Sequence, residues 1–391
     1  MKDDPLLASA IAPDKSATPS PNTALPSARL YNLDALRAFA MIFGVLVHAC
    51  SLGDLGPYRI IPFLSDHFRM ASFFLVSAML STAVLAKRPA GAFIRRRLIT
   101  ILLPFFAALI LLNPIAVALV MYWHNPTFGF HVIDAFALSF APPPWVRGPV
   151  IWHLHLWFLL SLALYSLIIP TIATLVRDAA PHLERIIGSV PESLRMVLMA
   201  LMISMLGLFI RAIAQILFPD LLNIWPITAT LRYFPYIIAG VMTLTLPSIR
   251  SAMERFDPIL GIFGIFTLFI ETQVDYFPNA WMSRIAEPAA KYVTTFAIVQ
   301  TLYFIFFRSV KNSNRKLSFI IDSIFTVYLF HYVFIYAFAF IFLPIGLPKG
   351  LFLFLVAICA LSTGLFIHWG LVSRIPLLKL MFNGVLLPKT R

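Results

Sequence analysis

Charge is scarce in this sequence. Only 12% of its 391 residues are Asp, Glu, Lys or Arg, against about a quarter in soluble globular domains, and 60% are hydrophobic. That excludes a water-soluble fold and leaves a chain that crosses a bilayer many times. Negative charge is scarcer still, with 17 acidic residues against 30 Lys and Arg and a net charge of +13. A nucleic-acid partner would need those cations interleaved with aromatics in soluble stretches. Here they sit in short segments between apolar runs, as the cytoplasmic loops of membrane proteins do, and no nucleic acid is expected. Cysteine is nearly missing. Cys50 and Cys359 both fall in apolar runs, which excludes a disulfide framework and zinc-ligand spacing, so no metal is expected. Residues 1–28 lack an apolar run long enough for a signal-peptide core. Rich in Pro, Ser and Ala, they read as a disordered cytoplasmic tail. No internal repeat is visible.

What is present is a series of apolar runs of helical length. They lie at about 33–50, 68–86, 98–123, 150–175, 196–218, 225–246, 259–271, 289–307, 318–343 and 351–372. Most approach the roughly 20 residues that a bilayer requires, and the seventh is short. The expected fold is therefore all-α: a polytopic membrane protein of about ten spans, with a transmembrane domain over 29–376 and a carboxyl tail over 377–391. Residues 51–65 read as a loop, and a short helix is expected around 132–139. Cations set the orientation. With the amino terminus inside, Lys87, Arg88, Arg95, Arg96, Arg97, Arg177, Arg185, Arg195, Arg250, Arg255, Arg308, Lys311, Arg315 and Lys316 all face the cytoplasm. The outside keeps only Arg59, Arg69, Arg147, Arg284, Lys291 and Lys349. An even number of spans then puts both termini in the cytoplasm.

The first span carries the chemistry. Arg37 and His48 are eleven residues apart, hence only about 20° apart around a helix and about 16 Å apart along it. Asp34 precedes Arg37 by three and shares its face. Ionisable groups in a span are costly and normally face a protein interior or wet cavity. On this topology Arg37 is placed to grip an anion from the cytoplasm. His48 is placed to take a proton from a hydroxyl near the outer side. A structural reading stands beside this one: a packed histidine, and an Asp–Arg pair that pins helices. Arg211, Arg232 and Glu271 read as intramembrane pairing residues, and His67, His124, His131 and His153 as loop or interface residues.

The segment Leu33-Asp34-Ala35-Leu36-Arg37, with His48 eleven residues beyond the arginine, resembles the opening helix of the membrane acyltransferase-3 family. The resemblance continues in order along the chain. Phe73-Phe74-Leu75-Val76-Ser77-Ala78 is similar to the family's Phe-Phe-x-x-Ser-Gly, with Ala78 where Gly is usual. Phe93 to Pro104 resembles its basic third helix, with Thr100 in place of a second arginine three residues after Arg97. His155-Leu156-Trp157 and Tyr328-Leu329-Phe330-His331 complete the set. The stretches around Phe68-Arg69-Met70 and His155 look most like the branch that succinylates osmoregulated periplasmic glucans. The resemblance implies a bacterial inner-membrane O-acyltransferase. It would move succinyl or acetyl from acyl-CoA to a hydroxyl of a periplasmic glucan or another envelope carbohydrate. Acyl-CoA is a co-substrate, and no tightly bound cofactor is expected. His48, Asp34 and Arg37 would be catalytic. Arg37, Arg95, Arg96 and Arg97 would bind the coenzyme phosphates. Arg69, His155, Trp157, Tyr328 and His331 would contact the acceptor.

Two other readings compete. The same chemistry on an exopolysaccharide or lipopolysaccharide sugar differs only in acceptor. A transporter also buries charges, but it commonly shows paired halves and matched helix breaks, and the sequence shows neither. Oligomeric state is open.

Overall fold

A bilayer offers the backbone no hydrogen-bond partner, and a helix is the single-segment solution. The computed structural model describes residues 30–53, 56–220, 224–273, 280–312 and 314–385. The expected tail over 1–28, and residues 386–391 of the carboxyl tail, lie outside the described residues. Among those described, every regular element is helical. They are α1 (Tyr31–Ala49), α2 (Ile60–Asp66), α3 (Arg69–Leu85), α4 (Ala90–Leu111), α5 (Asn113–His124), α6 (Val132–Leu138), α7 (Trp157–Ser189) and α8 (Glu192–Leu217). The chain continues with α9 (Trp225–Thr245), α10 (Pro247–Met253), α11 (Pro258–Thr272), α12 (Ala280–Ser309), α13 (Arg315–Phe342), α14 (Lys349–Ile367) and α15 (Pro376–Asn383).

Eight helices among the described residues are long and apolar enough to cross a membrane, and the bent pair α4–α5 makes up to nine. The shorter apolar α11 brings the elements into one-to-one correspondence with the ten runs of the sequence. The protein is an all-α, multi-pass membrane protein. Local differences from the sequence reading have local causes. The third run is broken by a 51° bend between α4 and α5. Pro114 has no N–H for the Ile110 carbonyl, and its ring crowds that oxygen. The Asn113 amide donates to the Trp152 carbonyl and ties the bend to the chain before α7. Residues 60–65, read as loop, fall within α2. α7 runs past Leu175 to Ser189. It stops where Pro191 forces Val190 into extended backbone (ψ 135°).

α1 is the element to which the others are fitted. Its buried residues include Leu33, Ala35, Leu36, Ala38, Ala40, Gly44, Val45 and Ala49. At 100° per residue these cover more than one face, as expected of a helix enclosed by protein. It packs on α3, α12, α13 and α14. α3 in turn lies closely against α9, because Gly240 faces the backbone carbonyl of Leu75, where a Cβ would collide. Capping reinforces the ends: Asp257 accepts from the Leu260 amide at 3.0 Å, and Asn314 from the Leu317 amide at 2.8 Å.

Candidate active site

Three histidines from distant parts of the chain meet at one place. α1 ends on His48, α13 carries His331 at mid-length, and a short 3-10 turn, Leu154–Leu156, supplies His155 just before α7. The ring centroids of His48 and His331 are 5.1 Å apart, those of His155 and His331 4.7 Å, and those of His48 and His155 6.5 Å. Tyr332 stacks on His155 at 4.8 Å and lies 5.0 Å from His48. The three imidazoles are not arranged to hold a metal ion.

The turn that carries His155 is held in an unusual backbone conformation. Leu154 has φ 41°, the one non-glycine with positive φ among the described residues. A bulky side chain rarely adopts this region, at a cost of about 1–3 kcal/mol. The clamp is Tyr328, whose hydroxyl donates to the His155 carbonyl at 2.7 Å. The Tyr328 carbonyl is 2.6 Å from His331 Nδ1. A carbonyl only accepts, so Nδ1 carries the proton and Nε2 keeps the lone pair. That Nε2 is buried with no hydrogen-bond partner among the described residues, and the ring nitrogens of His155 face the Tyr328 and Leu329 carbonyls without a well-formed hydrogen bond. His155 and His331 are buried, whereas His48 is half-buried and so the most accessible of the three. One cation, Arg69, stands beside these rings. Its Nε donates to Ser65 Oγ at 3.0 Å. Its head lies against α1 opposite Gly44, where a Cβ would sit 3.0 Å from Nη1. Gly44 precedes His48 by four residues, so the guanidinium lies one turn from the imidazole on the same face. His48 and His331 are within electrostatic reach of it.

The other end of α1 holds Arg37, whose Nη1 is 3.6 Å from Asp34 Oδ1. Its guanidinium carbon stands 4.8 Å over the Phe73 ring. Arg97 is half-buried in α4, and Arg37 is close enough for the two positive charges to repel. Arg95 and Arg96 are exposed. Of the expected arginine cluster, only Arg97 joins Arg37. Between the two ends of α1 the side chains are aromatic. Phe73 meets Phe158 edge-on at 4.4 Å, and Phe158 is 5.7 Å from Tyr328. Trp157 opens α7 half-buried, its ring 6.4 Å from Phe158.

Of the site residues read from sequence, His48, Arg69, His155, Tyr328 and His331 gather at the carboxyl end of α1, Asp34, Arg37 and Arg97 lie at its amino end, Trp157 opens α7 half-buried, and Arg95 and Arg96 are exposed. Tyr332 and Gly44 were not anticipated. Each has a signal in hindsight, one as the neighbour of His331, the other as the small residue a turn from His48. His67 and His153, read as loop or interface residues, do lie in turns between helices but are buried there. His67 Nε2 is 2.8 Å from Glu271 Oε2. His153, ahead of the spanning part of α7, is pushed towards its neutral form by burial. The pairing read for Glu271 and Arg232 is present: Lys291 Nζ is 3.6 Å from Glu271 Oε1, and Arg232 Nη2 is 3.3 Å from Asp66 Oδ2.

A half-buried general-base candidate beside a guanidinium, on a helix enclosed by other spans, suits a membrane enzyme that transfers a group to a hydroxyl. The acyltransferase-3 family model, described as an acyltransferase domain, matches residues 30–369. The chain belongs to this family and is a membrane acyltransferase that transfers groups other than aminoacyl. It is similar to proteins named glucans biosynthesis protein C. The one from Salmonella gallinarum (strain 287/91 / NCTC 13346) is 23% identical over 384 residues, covering 93% of this chain and 96% of the relative. The one from Salmonella paratyphi B (strain ATCC BAA-1250 / SPB7) shows the same identity and coverage. The one from Salmonella schwarzengrund (strain CVM19633) is 22% identical with equal coverage. No solved structure matches the chain significantly.

Proposed function

We propose that the protein transfers an acyl group, succinyl or acetyl, from acyl-CoA to a hydroxyl of a periplasmic glucan or another envelope carbohydrate, in the bacterial inner membrane. The observation that carries this reading is the meeting of His48, His155 and His331 with Arg69 at one end of α1, while Arg37 and Arg97 stand at the other. The cation distribution supports a cytoplasmic amino terminus, which puts Arg37 and Arg97 inside and the histidines outside.

Acyl-CoA enters from the cytoplasm, and its phosphates pair with Arg37 and Arg97 through charge-assisted hydrogen bonds. Asp34 orients Arg37. The roughly 16 Å from Arg37 to His48 along the helix is bridged by the extended pantetheine arm. His48 takes the proton of the acceptor hydroxyl while the oxygen attacks the thioester carbonyl. Arg69 neutralises the oxyanion that forms. The C–S bond then breaks, the thiolate takes the proton back from His48, and the ester leaves on the outer side. A variant of the same route has His48 carry the acyl group before the acceptor arrives. Tyr328 and His155 shape the acceptor side, and His331 Nε2 is a second lone pair within reach of the transferred proton.

The test is His48→Ala, with acyl incorporation into envelope carbohydrate followed by mass spectrometry. Transfer is expected to be lost while the protein stays in the membrane at normal amounts. Retained full transfer removes His48 from the reaction, and solute flux with no change in ester content would favour a transporter instead.

A further inference from the structure

A second polar site lies beside the histidine cluster and is not used by the reaction just described. It is a cavity of about 340 Å³ between α8, α9 and α12, closed on one side by the end of α2. Six of its lining residues decide its chemistry: Asp66, Arg211, Arg232, Tyr233, Glu287 and Lys291. Two of the carboxylate–cation contacts are already made, because Asp66 Oδ2 lies 2.5 Å from Lys291 Nζ and 3.3 Å from Arg232 Nη2. Arg211 and Glu287 are different. Arg211, exposed on the last two turns of α8, and Glu287, half-buried near the start of α12, have neither an ion pair nor a hydrogen bond among the described residues, so both heads are available to a ligand in the cavity. The Tyr233 hydroxyl also lacks a protein hydrogen bond among the described residues.

The mixture of signs narrows the ligand. A phosphate site gathers cations and excludes carboxylates, since a carboxylate repels the anion. Here Glu287 and Asp66 share the wall with Arg211, Arg232 and Lys291. Alternating strong acceptors and strong donors, next to phenol rings, match a neutral polyhydroxylated ligand whose every hydroxyl both donates and accepts. The volume suits one or two sugar rings. Position points the same way. Asp66 is three residues from Arg69, so their Cα atoms are at most about 11 Å apart, and Arg69 reaches the His48 face of α1.

We propose that this cavity holds a glycosyl unit of the acceptor next to the one being acylated, with Arg211 and Glu287 as its hydrogen-bonding residues. The inference rests on the proposed carbohydrate acceptor and assigns it a binding site. The acceptor chain lies over the outer end of α3, one ring in the cavity, and the neighbouring ring offers its hydroxyl to His48.

The test uses the full chain in nanodiscs, with gluco-oligosaccharides of two to four units as probe and saturation-transfer NMR as readout. Arg211→Ala and Glu287→Gln are each expected to weaken saccharide binding about ten-fold or more, with normal thermal melting as the control for folding. Wild-type affinity in both variants overturns the proposal, as does absence of saccharide binding by the wild type. An anionic phospholipid retained in native mass spectrometry and lost in Arg211→Ala would also overturn it, in favour of a headgroup site. Saccharide binding without any acyl transfer would sink the proposed reaction and leave the cavity assignment standing. Transfer with unaltered binding in both variants would do the reverse.

Discussion

Gly44→Ala is the smallest change that separates a working site from a folded protein. The added methyl would stand 3.0 Å from Arg69 Nη1 and 3.6 Å from its Cδ. Ordinary non-bonded contact lies at about 3.5–4.0 Å, so the guanidinium has to retreat by a few tenths of an ångström. It is the far end of a flexible side chain and can do so without moving α1 or α3. Alanine in place of glycine inside a helix gains about 1 kcal/mol of propensity, which offsets a comparable steric cost. Net stability should therefore change by less than about 1 kcal/mol. The reaction should feel the displacement fully, because a misplacement of about 1 Å can cost about 100-fold in rate. On the proposed role of Arg69, a shift of a few tenths of an ångström is expected to lower kcat by up to about 10-fold. The assay is transfer of labelled acyl from acyl-CoA to carbohydrate in isolated membranes, normalised to folded protein, with a thermal melt of the purified variant. A full rate at unchanged Tm would refute the reasoning, since it would mean that the position of Arg69 does not matter to the transition state.

Gly240→Ala should behave in the opposite way. Its Cβ meets the Leu75 backbone carbonyl and lies 2.9 Å from the Ala78 Cβ, and backbone cannot step aside, so α9 is forced off α3 at a cost of about 1–3 kcal/mol; an unchanged melt in detergent would show that the helices part freely. Arg97→Ala should raise KM for acyl-CoA about ten-fold by removing a charge-assisted contact. The same change at the exposed Arg95 or Arg96 should raise it much less, and equal effects at all three positions would argue for a diffuse basic surface rather than a paired site with Arg37.

Much of this arrangement was legible in the sequence because helices translate spacing into position. The eleven-residue interval put Arg37 and His48 on one face, and the apolar runs marked ten elements to within a few residues at most ends. Tertiary folding decided what spacing could not. His155 precedes its helix, and no periodicity predicts that a strained turn at Leu154 swings it against a residue 176 positions later on α13. The arginine run read as one cluster, yet three successive residues on a helix point about 100° apart, so only Arg97 can face Arg37. The bend at Pro114 was available in the sequence and outweighed by the length of the apolar run around it. His67 does lie in a turn, as read, but its buried pairing with Glu271 was not legible because that partner lies 204 residues away.

Where polar groups are left without partners is more telling than where charges occur. Asp66, Glu271, Arg232 and Lys291 are charged and intramembrane, but they hold one another and could serve packing alone. A packed protein has no reason to bury the Nε2 of His331 unpartnered and the ring nitrogens of His155 with only poorly formed contacts to backbone carbonyls, since an unpartnered buried group costs about 1–3 kcal/mol. The unpartnered serines of α3, Ser72, Ser77 and Ser81, are a weaker signal, because a serine hydroxyl on a helix can turn back to the carbonyl four residues earlier. Imidazole nitrogens held in place by Tyr328 have no such escape. Their cost is borne in the resting protein and is recovered only when something that gives and takes protons fills the space between them, which is what an acceptor hydroxyl does.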